Sequence, residues 1–281
     1  MNLPGLTPMR RRQLGTIVRL ELGKNLRSWR GLWLYLLALA PVLPIGLHSL
    51  DAVIRRRGDG HALDQDTTIL AGIFQFYYLR LGIFFACLGL FTRLFRGEMM
   101  ERSLHHYLLA PVHRELLTAG KFLAGLGISV VTFGGAVLLS FLLMYAHFGA
   151  EARSFLWNGP GLGQLGSYLL VTTLACLGYG SLFLMLGLVV RNPFLPAVPI
   201  LLWESANHLL PAVLKPFSVI FYLEPLLPVE VPPSNELLTF FAIPADPVPG
   251  SIALPGLLLL SAAILLFACL RARRTEINYA E

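Results

Sequence analysis

The sequence predicts an all-α, polytopic membrane protein with six transmembrane helices and an N-terminal amphipathic helix lying in the interface. Three observations lead there. The 281 residues are 56% hydrophobic, with a mean hydropathy of +0.67. Only 14% are Asp, Glu, Lys or Arg, where a soluble domain carries about 25%. The apolar residues fall in long blocks that reach the roughly 20 residues needed to cross a hydrocarbon core about 30 Å thick. The net charge of +6 and pI near 9.5 would point to nucleic acid in a soluble protein. Here the basic residues flank apolar blocks, so they report topology and contact with anionic lipid, with no nucleic-acid partner.

Residues 1–12 read as a short cytoplasmic tail. Arg10, Arg11 and Arg12 are basic, but the next apolar block starts only at Leu32 and no small-residue cleavage site follows it, so no cleaved signal is expected. Residues 13–31 have the spacing of an amphipathic helix. Leu14, Val18, Leu22, Leu26, Trp29 and Trp33 recur every three or four positions, with Arg19, Lys24, Arg27 and Arg30 on the polar side. Such a helix lies in the interface with its apolar face in lipid, or packs on a partner.

Residues 32–270 form one six-span transmembrane domain. The first span runs from Leu32 to about Leu50, the second from about Leu70 to Phe95, and the third from Phe122 to about Phe148. The fourth covers about Leu165 to Val190, the fifth Phe194 to about Leu214, and the sixth Ile252 to Leu270. A polar loop at 96–121 joins spans two and three. A long proline-rich segment at 215–250 precedes the last span, and residues 271–281 are a second tail. With the N-terminus inside, 16 Lys and Arg fall on the inner side. Arg55, Arg56, Arg57, Arg153 and Lys215 fall on the outer side. That bias puts both termini in the cytoplasm. The triple arginine is a local exception, read either as a solvated loop or as a patch for anionic headgroups or an anionic substrate. The three cysteines, Cys87, Cys176 and Cys269, all lie in spans and read as reduced core residues. No disulfide framework and no zinc-ligand spacing is visible.

The loop from Gly97 to Leu117 carries the strongest signal. It has a charged helical start at Glu98 and Glu101, then Ser103-Leu104 and the paired Leu108-Leu109. A break at Pro111-Val112 follows, then Arg114 and, at the entry to span three, Lys121. Proline cannot continue the preceding helix without losing a hydrogen bond. The physical expectation is a short helix hung beneath the membrane and fixed at both ends by spans. This stretch resembles the cytoplasmic loop of permeases of the ABC-2 exporter superfamily. There two acids, a Thr-Leu pair, a Leu-Leu pair, a Pro-Val-x-Arg turn and a Lys follow in that order. Arg102 and His113 depart from the family's Gly and Ser, while Pro111-Val112 and Arg114 keep the turn intact.

The resemblance implies that the loop is a coupling helix docking on a separate ATPase. Glu98, Glu101, Ser103, Leu104, Leu108, Pro111, Val112 and Arg114 would then be the coupling residues. It implies two ABC-type ATPase subunits and a second permease chain, identical or paralogous, as partners. It makes 13–31 the connecting helix and 215–250 an outer, re-entrant element. The location would be a plasma membrane, for which a bacterial inner membrane fits best. Lipids, amphipathic drugs, peptides and glycans are the family's substrate range. ATP and Mg would sit on the partner. This chain has no Gly-x4-Gly-Lys-Ser/Thr loop: Gly120-Lys121 is followed by Phe122, and Glu115 stands where the first Gly belongs. No cofactor and no catalytic role are expected of it. A non-transporting anchor driven by the same ATPase coupling and an intramembrane enzyme are the alternatives.

Four polar residues fall inside spans and read as translocation-path residues. Arg80 and Glu204 each sit about ten residues into a span, near the bilayer midplane. A lone charge there costs at least about 2.5–3.5 kcal/mol, so the two are expected to face the interior and to pair. Asn207 and His208 lie close to Glu204 on the same helix. A proton relay, a polar path lining and interhelical hydrogen bonds all suit them, whereas two ligands are too few for a metal site. Gly178-Tyr179-Gly180-Ser181 has a serine-turn look but lacks the following glycine. Small residues packing helices, at Gly82 and Ala86 and at Cys176 and Gly180, are the better reading.

Overall fold

The structure is a computed structural model that describes residues 8–26, 31–54, 63–100, 113–190, 192–207, 210–211, 213–231 and 248–273. Among these every regular element is helical. In chain order they are α1 (Pro8–Leu26), α2 (Leu32–Leu39), α3 (Val42–Ile54) and α4 (Leu63–Gly72). A π-helical segment (Ile73–Gly82) and α5 (Ile83–Met100) continue the rod begun by α4. There follow α6 (Arg114–Tyr145), α7 (Ala150–Trp157), α8 (Gly161–Val189), α9 (Phe194–Ser205), α10 (Val219–Leu223) and α11 (Gly250–Arg273). Helical segments over Leu32–Ile54, Leu63–Met99, Arg114–Phe148, Gly161–Val189 and Gly250–Arg273 are each long and apolar enough to cross a membrane. That is the architecture of a multi-pass membrane protein.

The expected fifth span is not a spanning helix. α9 has 12 residues, about 18 Å at 1.5 Å per residue, well short of the roughly 30 Å of a hydrocarbon core. Pro199 lies inside it, and Ala206 at its C-terminal end leaves helical geometry at φ −92°, ψ 17°. The chain then reaches α10 through a 3₁₀ turn at Lys215–Phe217. The tails are also shorter than expected. Pro8, whose fixed φ suits a first helical turn, opens α1, and α11 continues to Arg273. The polar loop expected at 96–121 narrows in the same way, because α5 runs to Met100 and α6 starts at Arg114.

The first span is broken where the sequence breaks it. Pro41 has no N–H, so the Leu37 carbonyl four residues earlier loses its helical donor. The Tyr77 hydroxyl donates to that carbonyl at 2.9 Å. The Tyr78 hydroxyl donates to the next one, Ala38, at 3.2 Å, and lies 2.9 Å from Ser140 Oγ. Two tyrosines of the π-helical segment thus replace the donors that the proline junction removes, and they lock α2–α3 onto the rod.

α8 is the most enclosed span, and glycines let neighbours approach it. A Cβ on Gly180 would lie 2.6 Å from the Phe91 ring, and one on Gly187 would lie 2.9 Å from the Thr92 Cα. Phe84 packs edge-on against Phe183 and Tyr179, with ring centroids 5.0 and 5.4 Å away. Cys87 and Cys176 are free and buried in the same layer, and Cys269 is free and half-buried. Ser181 is buried and donates back to the Gly178 carbonyl at 2.8 Å within its own helix.

The contact at Gly187 is with backbone, which cannot swing aside. Gly187→Ala is expected to cost about 1–3 kcal/mol, seen as a lowered Tm in thermal unfolding of the detergent-solubilised chain. Gly127→Ala, where an added Cβ meets nothing within 4 Å, should leave Tm unchanged or slightly raised. Equal effects of the two substitutions would show that the α5–α8 approach is not as close as described.

Candidate functional site

α1 lies across the start of α6 because Gly120 leaves room for it. A Cβ there would meet Ile17 Cγ2 at 2.7 Å and Leu14 Cδ1 at 3.4 Å. One turn beyond Ile17, that approach brings the Glu21 carboxylate onto the Lys121 ammonium, with which it forms an ion pair. The second carboxylate comes from the end of α5: Glu98 Oε1 is 2.9 Å from Lys121 Nζ and 3.1 Å from Lys24 Nζ. The Lys121 side chain is wholly buried, Glu21 and Glu98 are each 2% exposed, and Lys24 is 49% exposed. The Asn25 amide donates to Glu21 Oε2 at 3.3 Å, and Lys121 Nζ stands 5.6 Å from the centre of the Phe95 ring. Among the described residues two ammoniums and two carboxylates make a neutral set. Burying such charges is costly, and the geometry returns that cost only while all members are present.

This bears on two expectations. The helix at 13–31 was expected to gather Leu14, Val18 and Leu22 on one face. In the structure Leu14 meets Gly120 and Leu22 packs against the core, and the same face also buries Ile17 and Glu21. Residues 27–30 lie outside the described residues. Glu98 was expected to reach a partner. In the isolated chain it is turned inward instead, because the buried Lys121 requires a counter-ion and Glu98 supplies one. Its other oxygen, Oε2, accepts no hydrogen bond among the described residues.

Of the remaining coupling residues, only Arg114 is described; Glu101, Ser103, Leu104, Leu108, Pro111 and Val112 lie outside the described residues. Arg114 opens α6 and donates to the Arg273 carbonyl at 3.0 Å. Next to it Glu115 forms an ion pair with Arg273, and Arg10 of α1 meets His113 Nε2 at 3.3 Å. Each end of the 101–112 stretch is therefore anchored. The α5 end is held through Glu98, and the α6 end is held to α1 and to the end of α11.

The structure does not join Arg80 to Glu204. Glu204, 3% exposed, accepts four hydrogen bonds. They come from the Tyr179 hydroxyl at 3.1 Å, the Ser218 hydroxyl at 3.0 Å, and the backbone N–H groups of Val219 and Ile220 at 3.0 and 2.9 Å. The last two are unpaired donors at the start of α10, so the carboxylate anchors that short helix. Once four donors satisfy it, Glu204 has no need of Arg80. Arg80 instead lies 3.3 Å from Glu224 Oε1, with its guanidinium 5.5 Å from the Phe76 ring centre. Gln75, on the same π-helical segment, donates to the Val229 carbonyl at 2.8 Å. π-Helical turns inside α-helices are often found where side chains must be re-aimed, and here they aim Gln75 and Arg80 at the chain that follows α10. Asn207 is buried, and its Oδ1 accepts no hydrogen bond among the described residues. His208 lies outside the described residues.

α10 sits at depth. A Cβ on Gly178 of α8 would be 2.8 Å from Val219, and one on Gly256 of α11 would be 2.5 Å from the Tyr222 ring. Gly178 is roughly 11 residues, about 16 Å, from the C-terminal end of α8, so Val219 lies well inside the span. Glu21 and Lys24 were the residues not foreseen. Their one signal in the sequence is an acid at position 21 in an otherwise basic helix. No protein-family model matches this chain, and no curated protein matches it at a significant level.

Lys121→Met strands two carboxylates in a buried site and should cost about 3–5 kcal/mol, read as a fall in Tm or in monodisperse yield. Lys24→Met, on the half-exposed member, should cost under about 1 kcal/mol. Adding Glu21→Gln and Glu98→Gln to Lys121→Met should recover much of the loss. A triple variant less stable than the single would contradict the charge-balance account.

Glu204→Ala leaves two backbone N–H groups and two hydroxyls without their acceptor. Amide hydrogen exchange over residues 218–223 should accelerate at least ~10-fold, while α6 and α8 exchange as before. Unchanged protection of Val219 and Ile220 would show that the carboxylate does not hold α10.

Proposed function

We propose that this chain is the membrane subunit of an ATP-driven exporter of the ABC-2 type, coupling hydrolysis on a separate ATPase to movement of a substrate across the membrane. The observation that carries this reading is the buried Lys121 cluster. It ties α1 to the ends of the two helices that enclose residues 101–112, the stretch with the coupling-loop pattern. A push on that stretch cannot be absorbed locally. Glu98 and Lys121 pass it to α5 and α6 together, and Glu21 passes it to α1. In this reading α1 is the connecting helix, and 215–250 is the re-entrant element, supported by the depth of Val219 beside Gly178.

The second permease chain has a physical argument of its own. Arg80 and Glu224 form a pair whose side chains are 26% and 47% exposed. Arg80 is about midway along the Leu63–Met99 rod, where a charge facing lipid is expensive. A second copy or a wet path between copies removes that expense and leaves both groups facing a substrate. An intramembrane enzyme is not favoured, because Glu204 and Ser181 are used up in structural hydrogen bonds.

The test is co-expression with candidate ABC-type ATPase subunits. A stable complex is expected, with ATP hydrolysis that depends on the membrane subunit. Pro111→Gly with Arg114→Ala should lower that stimulated hydrolysis at least ~10-fold without lowering expression. Failure to form any complex, together with loop variants that change nothing, would sink the reading.

A further inference from the structure

A second charged cluster lies at the opposite end of the bundle, outside everything discussed so far. It is assembled from three separate segments: His48 of α3, Asp66 of α4 and His147 in the 3₁₀ turn (Ala146–Phe148) that ends α6. His147 follows Lys121 by roughly 26 residues, about 39 Å of helix, so this site and the Lys121 cluster are a full span apart. Asp66 is completely buried, and neither of its carboxylate oxygens accepts a hydrogen bond among the described residues. Both histidines aim Nε2 at the same oxygen. His48 Nε2 is 3.5 Å and His147 Nε2 is 3.4 Å from Asp66 Oδ2. The two rings stand edge to face at 84°. The ligating atoms of all three residues lie within 4.8 Å of one another.

We infer that His48, Asp66 and His147 form a binding site for a first-row divalent cation, zinc in the first instance. The distances decide between this and a set of hydrogen bonds. An N–H···O bond to a carboxylate closes to about 2.7–2.9 Å, and these contacts are longer. Around a tetrahedral ion with bonds of about 2.0–2.2 Å, neighbouring ligand atoms are spaced about 3.3–3.6 Å apart; each imidazole nitrogen stands at that spacing from the carboxylate oxygen, and all three ligand atoms lie within 4.8 Å. Two imidazoles and one carboxylate suit zinc, nickel or copper, whereas calcium and magnesium call for more oxygen ligands. Among the described residues the site offers three protein ligands. The His48 side chain is 33% exposed, while that of His147 is 8% exposed, so His48 gives the ion its way in. A bound ion would fasten the ends of three spans across the two connections that separate them in sequence. The inference stands on these residues alone and is independent of the transport reading.

The experiment uses the full chain in detergent, purified on a tag without histidine, stripped with EDTA and freed of it. Titration with zinc chloride, followed by calorimetry and by metal analysis after gel filtration, should show one saturable site per chain at micromolar affinity or better. Zinc should raise Tm, and calcium should not. His48→Gln, on the most exposed ligand and the substitution best tolerated by the fold, should weaken zinc binding at least ~10-fold, and His48→Gln with His147→Gln should abolish the saturable site. His113→Ala, at the other end of the bundle, should leave binding unchanged. Wild-type chain that shows no saturable zinc binding would overturn the inference. So would a folded double variant, judged by gel filtration and circular dichroism, that binds as wild type does. If the double variant does not fold, His48→Gln alone decides, and binding equal to wild type overturns the inference.

Discussion

A lysine ammonium with no exposed surface has to be accompanied by negative charge, and in this protein Lys121 imposes that requirement on three helices at once. α1 must arrive with Glu21 and α5 must end with Glu98. Neither can shift without leaving a charge in a place that cannot solvate it. The contact at Gly120, where Ile17 comes within the volume of a missing Cβ, sets the approach that makes the pairing possible. Packing and electrostatics therefore specify the same geometry. A purely apolar contact between α1 and α6 would tolerate sliding by a residue, and one with a buried charge pair in it does not.

Elsewhere polar atoms complete the backbone of irregular segments. Tyr77 and Tyr78 serve the carbonyls beside the Pro41 junction, and Glu204 serves the amides that start α10. The same rule governs both cases. In a membrane-embedded protein, backbone that leaves the helix must find its partners inside the protein. At the Pro41 junction and at the start of α10, a side chain from another segment supplies that partner.

Composition and block length made the apolar spans legible, and α8 and α11 start and stop within a few residues of where the sequence puts them. Glu98, Lys121 and Arg114 could be picked out by pattern, but not what they do. Glu98 looked like an exposed contact because nothing near it in sequence says that Lys121, lying 23 positions on, is buried. The fifth span misled because hydropathy counts apolar residues and is blind to where a helix stops. Pro199, Glu204 and Pro211 were the local warnings. His48, Asp66 and His147 could not be associated at all, since 18 and 81 positions separate them and only the antiparallel course of the spans closes that distance. The apolar face of α1 was legible from its spacing; that Glu21 shares this face was not, because nothing in the sequence places Lys121 beside it.

The groove that receives α10 has two walls of different age. Gly178 stands on α8, made before the segment it holds, while Gly256 stands on α11, made after it. In chain order the Glu204 carboxylate precedes the α10 amides it accepts from, and the Tyr222 contact on Gly256 comes from a helix that follows them. α11 thus supplies the second wall of a groove whose first wall precedes the segment in the chain.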